Sequence, residues 1–467
     1  MDLDELQHYE SFRDRVSTVD EKGGRNWVYA LKPHGKFYNY RILLTISYLV
    51  AFFGIPFIKV NGMPFVQFNF TEGKFILFSK IFWPQDFYIF AIAMITFIIF
   101  IALFTVVYGR LFCGWVCPQT VFMEFVFRPI EWLIEGNPAK QKQADKNKWT
   151  LTNIGKKTLK HIIYLLISFL IANTFLSYIF GVSKLYKIIE EPIANHIALF
   201  FGVIIFTLLF YMVFAFVREI VCTTICPYGR LQGVLFDQDT MLVAYDYKRG
   251  EQRGKFKKNE ERIFGDCIDC HQCVNVCPTG IDIRNGTQLD CINCTACIDA
   301  CDFMMEKVNL AKGLIRYASE NGIAEGKKLS FTPKIKAYST LLVILLCVLT
   351  TLLITRKEID TNITRTAGQL YQELPDNKLS NLYNAKIINK TSAVFPVEFK
   401  LENVKGEIKL IGKTELQLKS EAVNEVTFFI ILDKKNVHNH STKIKIGIYK
   451  NGIKTATVKT NFLGPFI

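Results

Sequence analysis

The chain has 467 residues, of which 50% are hydrophobic and 14% aromatic, and it carries a formal charge of +14. A mean hydropathy of +0.20 is too apolar for a set of ordinary soluble domains. The basic residues lie beside apolar runs rather than in one stripe, which points to membrane topology and away from a nucleic-acid partner.

Residues 1–41 form a polar lead-in carrying Arg13, Arg15, Lys22, Arg25, Lys32, Lys36 and Arg41, with no short apolar core of the kind a signal peptide needs. A first apolar run, 42–58, is just long enough to cross a bilayer, and a second, 87–108, spans it comfortably. At the end of the second run stands Cys113-Gly-Trp-Val-Cys117-Pro118. Residues 118–132 then alternate apolar groups with Glu124, Arg128 and Glu131, the pattern of a helix lying in the membrane interface with Phe122, Phe125, Val126 and Trp132 facing the lipid or the bundle. Spans three and four are expected at 162–182 and 197–217. The fourth ends on Cys222-Thr-Thr-Ile-Cys226-Pro227, which repeats the first motif in spacing and in its proline. Cysteines four apart share a helix face, and the following proline should end that helix and start another. Four thiols at matching helix ends suit Cu(I), zinc or an iron-sulfur centre, whereas buried packing does not explain the repetition.

Thirteen cysteines, eight of them between 267 and 301, argue for metal chemistry in a reducing compartment rather than a secreted disulfide framework. That stretch reads CIDCHQCVNVCP and then CINCTACIDACD, two copies of the bacterial two-cluster ferredoxin spacing. Three thiolates two residues apart wrap one cube and the fourth reaches the other. Cys267, Cys270, Cys273 and Cys301 should therefore hold one 4Fe-4S cluster, and Cys291, Cys294, Cys297 and Cys277 the second. Asp302 replaces the second proline of the pattern, a turn residue and not a ligand. Zinc modules use two CxxC pairs per ion and do not need this fourth cysteine twice.

A fifth span at 337–354 precedes a change in composition, with strand-like runs at 384–388, 394–401, 407–411, 426–432, 443–449 and 454–460. Six or seven short strands in about a hundred residues suit an immunoglobulin-like sandwich. His438 and His440 fall in a loop there, and two histidines alone make an incomplete metal site. Cys347, alone in span five, reads as a small hydrophobe.

The chain thus divides into 1–41, a cytoplasmic lead-in; 42–226, four spans with two CxxxCP motifs; 227–336, a cytoplasmic ferredoxin domain; 337–354, the fifth span; and 355–467, an extracytoplasmic Ig-like domain. Five spans put the termini on opposite sides. The segment between spans two and three, rich in Arg110, Arg128, Lys140, Lys142, Lys146, Lys148, Lys156, Lys157 and Lys160, marks the cytoplasmic side, whereas the loop after span one mixes Lys59, Lys74 and Lys80 with Glu72 and Asp86.

Arg110-Leu-Phe-Cys113-Gly-Trp-Val-Cys117-Pro-Gln119, the run Cys226-Pro-Tyr-Gly-Arg-Leu-Gln-Gly233 leading to Val243-Ala-Tyr-Asp246, and the double ferredoxin motif together resemble the CcoG/FixG (RdxA) family of membrane ferredoxins. The resemblance covers nearly the whole chain. It implies a bacterial inner-membrane protein that serves maturation of cbb3-type cytochrome c oxidase by reducing Cu(II) to Cu(I). Cys113, Cys117, Cys222 and Cys226 would be its copper-handling or electron-exit thiols, and oxidase assembly factors or a copper chaperone its partners. The electron donor is not named by the sequence, and neither is the oligomeric state, for which a homodimer is one option. Two competing readings are a quinol-linked electron-transfer subunit and a non-enzymatic assembly scaffold. A haem subunit is disfavoured because His161 and His196 fall at opposite membrane faces, and a nucleotide-dependent reductase because no Gly-rich dinucleotide fingerprint is present.

Overall fold

A computed structural model of the chain describes residues 18–19, 24–60, 62–70, 73–83, 86–147, 150–256, 263–326, 333–356, 359–366, 368, 370–391, 393–412, 416–420, 422–437, 440–450 and 452–465. The expectations attached to Arg13, Arg15, Lys22, Glu72, Lys148 and His438 lie outside these residues. The chain divides into two compact units, Met1–Pro56 with Ala91–Val348, and Phe57–Phe90 with Leu349–Ile467.

Backbone polar groups find no water in lipid, so a long apolar run must close its hydrogen bonds internally as a helix. Among the described residues, five helices are long and apolar enough to cross a membrane: Lys36–Phe57, Phe87–Tyr108, Leu151–Phe180, Ile197–Val217 and Pro333–Ile354. The first starts at Lys36 rather than 42 and the third at Leu151 rather than 162, because polar turns carrying Lys156, Lys157 and Lys160 continue the helix beyond the apolar run.

In the first unit the segment after the first CxxxCP motif turns apolar side chains toward the protein, the second of its two expected options. Pro118–Phe122, a π-helical turn Met123–Phe127 and Arg128–Ile134 run on from one another. Val121, Phe122, Met123 and Phe127 are buried, as are Arg128 and Glu131. Phe127 stacks on Phe214 at 4.4 Å between ring centroids, and Tyr164 donates to the Phe127 carbonyl at 2.9 Å. The polar positions of this segment belong to an inward ion-pair network. Arg218 pairs with both oxygens of Glu131 at 2.6 and 2.9 Å, and Lys160 reaches Glu135 at 2.7 Å. Burying such charges is tolerable only when they are paired in this way.

In the second unit, residues taken as a plain loop form strands, Lys59–Val60 with Met63–Pro64, and the meander Val66–Asn69, Lys74–Leu77 and Lys80–Phe82. The C-terminal part is a two-sheet sandwich. One sheet runs Gly406–Leu410, Val423–Asp433, Lys378–Asn389, Ile359–Arg365, with Gln372–Leu374 also on Lys378–Asn389. The other runs Leu416–Leu418, Phe395–Leu401, Ser441–Lys450, Ile453–Leu463. Successive side chains point to opposite faces of a strand, so Val426, Phe428, Ile430 and Leu432 from one sheet meet Ile444, Ile446 and Ile448 from the other in a common core.

Asp86 in this unit is buried and accepts hydrogen bonds from Lys390 and from Arg356, each at 2.6 Å. Burial alone would raise its pKa, but the two cations outweigh burial and hold the carboxyl below its usual value. A carboxyl depressed in the folded state contributes stability that is present above its unfolded pKa and is lost as pH falls through the folded value. Thermal unfolding followed by the sheet signal should therefore show the midpoint dropping as pH falls below about 4. Asp86→Ala, which takes the close carboxylate from both cations and leaves Lys390 only Asp360 at 3.8 Å, should cost about 3–5 kcal/mol at neutral pH. An unchanged midpoint in that variant would contradict the account.

Candidate iron-sulfur and thiol site

The two halves of the cysteine-rich stretch fold alike. Asp269 and His271 flank Cys270 with φ of 52° and 55°, and Asn293 and Thr295 flank Cys294 with φ of 53° and 61°. Non-glycine residues in this left-handed region carry local strain, and paired occurrences at functional loops are where such strain is found. The curl turns three thiols inward, after which the helices Gln272–Asn275 and Ala296–Lys307 carry Cys273 and Cys301. One cavity is lined by Cys267, Cys270, Cys273 and Cys301; a second is lined by Cys277, Cys291, Cys294 and Cys297, with Cys273 reaching its wall as well. Each cavity thus brings together the four cysteines of one expected set. Burial pushes the Cys291 thiol up to about 12 and Cys294 up to about 11. Such thiols ionise only against a strong positive centre, which is what an iron-sulfur cube supplies. Among the described residues no three ligating groups close tightly enough on one point for a single metal ion, and thiols spread around a cavity are instead what a four-iron cube requires.

Arg284 braces the first of these loops, pairing with Asp269 at 2.5 Å and Asp282 at 2.6 Å and contacting His271 Nδ1 at 2.9 Å. Asp302, at the non-proline position, accepts from the Gly313 amide at 2.8 Å and so holds the exit turn by a different device.

Each CxxxCP motif breaks in two at its proline. Cys113 lies in the short helix Leu111–Trp115 and Cys117 is the N-cap of Pro118–Phe122. Cys222 lies in the π-helical turn Val221–Ile225 and Cys226 is the N-cap of Pro227–Leu235. The two cysteines of a motif therefore do not share one continuous helix face, because the second leaves the helix to begin the next. Four residues before each first cysteine the chain takes positive φ, at Gly109 (57°) and at Arg218 (56°), which detaches each motif from its span.

The motifs interlock. Cys113 Sγ donates to Gln232 Oε1 at 3.2 Å, from the helix after the second motif. The Arg110 guanidinium donates to the Gly229 carbonyl, and Gln119 Nε2 donates to the Arg218 carbonyl at 3.2 Å. All four thiols feel one another electrostatically. Burial, with Cys117 next, pushes Cys113 up to about 12, and the Arg110 charge opposes both.

The ferredoxin module rests on these motifs. Cys113 and Cys222 pack against a buried group made of Val276, Ile292, Cys294 and Ala296. Gly114 makes that approach possible: a Cβ there would collide with the Ile292 carbonyl oxygen and lie 2.9 Å from both Asn293 C and Cys294 Cα. Asp299, on the helix that carries Cys301, accepts from the Phe37 and Tyr38 amides at 3.1 and 2.8 Å and so caps the first span. The cavity of Cys277, Cys291, Cys294 and Cys297 is thus the one next to the membrane thiols, and the cavity of Cys267, Cys270, Cys273 and Cys301 is the outer one.

Motif spacing gave no hint of two buried cations beside this junction. Arg41 is 3% exposed and stands over the Phe125 ring at 4.9 Å, and Arg110 is 4% exposed. Both are basic residues flanking apolar runs, a position that reads as membrane-boundary snorkelling.

A relative from Cereibacter sphaeroides, Protein RdxB, is 32% identical over 78% of this chain and 80% of its own length, and Protein RdxA of the same organism is 34% identical over 68% of each. The chain belongs to the FixG/RdxA family. The nitrogen fixation protein FixG of Rhizobium meliloti, 29% identical over 66% of the chain and 60% of its own length, is a further family relative. Family models described as a 4Fe-4S dicluster domain, a 4Fe-4S binding domain and an Ig-like fold at the C-terminal of FixG match residues 217–320, 90–137 and 349–465. A crystal structure of a FixG-related protein from Vibrio parahaemolyticus, 19% identical, aligns with 23% of the chain and 97% of its own length at a TM-score of 0.20. This FixG/RdxA chain is an iron-sulfur electron-transfer protein with membrane-spanning helices.

Three of the described histidines are engaged locally. His161 Nδ1 meets the Tyr211 hydroxyl at 3.0 Å, His196 meets Glu191 at 2.6 Å, and His440 Nδ1 meets the Gly464 carbonyl at 2.9 Å. Cys347 is exposed on the fifth span rather than enclosed by protein, so any apolar surroundings it has are lipid.

Proposed function

We propose that this chain reduces Cu(II) to Cu(I) for maturation of a cbb3-type cytochrome c oxidase, with electrons leaving through Cys113, Cys117, Cys222 and Cys226. The observation that carries the reading is the direct packing of Cys113 and Cys222 against Cys294 and its neighbours. The ligands of the two 4Fe-4S clusters are Cys267, Cys270, Cys273 and Cys301, and Cys291, Cys294, Cys297 and Cys277, and each cluster when bound supplies one-electron storage. Around them the chain's own residues orient the loops, keep water out and seat the inner set on the membrane thiols. Those four thiols are soft donors that favour Cu(I) over Cu(II), which makes reduction and capture one event. In this reading the N-terminus and the clusters lie on the cytoplasmic side of the inner membrane and the Ig-like domain outside, which the odd number of spans and the basic segment after span two support. Oxidase assembly factors or a copper chaperone would take the product.

A strain with a cbb3-type oxidase but without this chain should accumulate oxidase deficient in copper, restored by the wild-type chain and not by one lacking the four membrane thiols. Copper-replete oxidase in the deletion strain would overturn the assignment.

One observation favours a second reading of the same thiols. A family model described as a 4Fe-4S binding domain spans Cys113 and Cys117. Four cysteines from two motifs are the number that a third cube needs. Iron content separates the two: about 8 iron atoms per chain for two clusters with free membrane thiols, about 12 for three clusters.

A further inference from the structure

The strand Leu242–Tyr245 pairs with Ile315–Ala318 in a two-stranded sheet, and its two faces look at different things. Val243 lines the cavity of the inner cysteine set, and Tyr245 that of the outer set. Leu242 and Ala244 point the opposite way, as alternate residues of a strand must. With Ala318 they form the floor of a separate cavity of about 480 Å³ that contains none of the cysteines. A single strand therefore separates this cavity from both iron-sulfur sites, and Tyr245 reaches its wall as well as the outer set.

The lining narrows the occupant. Phe236, Leu289 and Ile323 add apolar wall, and the volume suits a small ring system. Asp237, Asp239 and Glu320 stand against Lys334 alone, so the cavity repels phosphate-bearing nucleotides and flavin phosphates. The carboxylates do not close on a metal ion. Asp237 is already held by the Thr240 hydroxyl and the Asp239 amide, both at 3.1 Å, and by Lys334 at 3.5 Å, whereas Asp239 accepts from Asn321 at 2.8 Å through Oδ1 only and lines the cavity. Lys334 lies in the first turn of the fifth span, so a lipid-soluble molecule has a route to the opening.

We propose that this cavity binds a membrane-soluble hydroquinone, a two-electron donor whose electrons match two one-electron acceptors behind one strand. The inference rests on the reading that the eight cysteines hold two clusters. On oxidation both hydroquinone O–H bonds break. The two protons pass by way of Asp239 to water, one electron goes to each cluster, and the quinone leaves.

The test uses the full-length, cluster-loaded protein in detergent under anaerobic conditions, with duroquinol as donor, visible bleaching as one readout and calorimetric binding of duroquinone as the other. Ala244→Trp fills the cavity from its floor and Ala318→Leu does so more mildly. Wild type should bleach with duroquinol and bind duroquinone saturably. Both responses should fall by more than about tenfold in Ala244→Trp and less in Ala318→Leu, while dithionite bleaches all three proteins alike. Equal duroquinol bleaching in wild type and both variants, or no duroquinone binding to wild type, would overturn the proposal. A wild type that dithionite does not bleach would instead refute the cluster reading, and the binding measurement would still decide the cavity.

Discussion

Changing Cys113, Cys117, Cys222 and Cys226 together to Ser should lower the rate of Cu(I) formation by more than about 100-fold, beyond the loss that removing an outer-shell partner of a metal site causes. The visible absorbance and paramagnetic signals of the two ferredoxin clusters should persist, because their eight cysteines lie in other loops and line their own cavities. The size of the effect follows from donor chemistry. A hydroxyl is a poor ligand for Cu(I), and the substitution removes every soft donor at the junction at once. Single changes should cost less, with Cys113 and Cys222 more sensitive than their partners because these two touch the ferredoxin module. Equal rates in the quadruple variant and wild type would mean that copper is reduced at the clusters directly.

Gly114→Val should have the second-largest effect, although residue 114 carries no functional group. The added carbons would enter the space occupied by the backbone of residues 292–294, which cannot swing aside as a flexible side chain does. The loop must then lift from the membrane motif, and a displacement of about 1 Å at a reacting contact can cost on the order of 100-fold in rate. Overpacking should also cost about 1–3 kcal/mol of stability. Laser-flash or stopped-flow measurement of electron arrival at copper should show the slowing, while cluster content and potential stay near wild type. Unchanged transfer with intact clusters would show that electrons do not cross at residue 114.

The spans were legible because an uninterrupted apolar run has one stable form in lipid, and the eight ferredoxin cysteines because ligand spacing on a short loop fixes which cavity each thiol can reach. The sandwich strands were legible through their alternation, as at Val426, Phe428, Ile430 and Leu432. Other features depend on partners distant in the chain. The inward network of Glu124, Arg128 and Glu131 did not register because nothing local says that Arg218 and Glu219 meet them inside the protein. The strands within residues 59–82 are too short for periodicity to register. Gly114 drew no reading from the sequence, since its significance lies in a backbone far along the chain. The interlock of Cys113 with Gln232, and of Gln119 with the Arg218 carbonyl, likewise became visible only when the two motifs were seen face to face.

The most direct measurement mixes the prereduced, reductant-free protein with Cu(II) and a Cu(I)-selective chelator in an anaerobic stopped-flow instrument, recording cluster reoxidation and Cu(I) together. Two one-electron clusters feeding one exit should yield about two Cu(I) per chain, appearing at the same rate as cluster absorbance recovers. Clusters that stay reduced while Cu(II) remains, or that reoxidise without producing Cu(I), would contradict the electron path from the ferredoxin module to the membrane thiols.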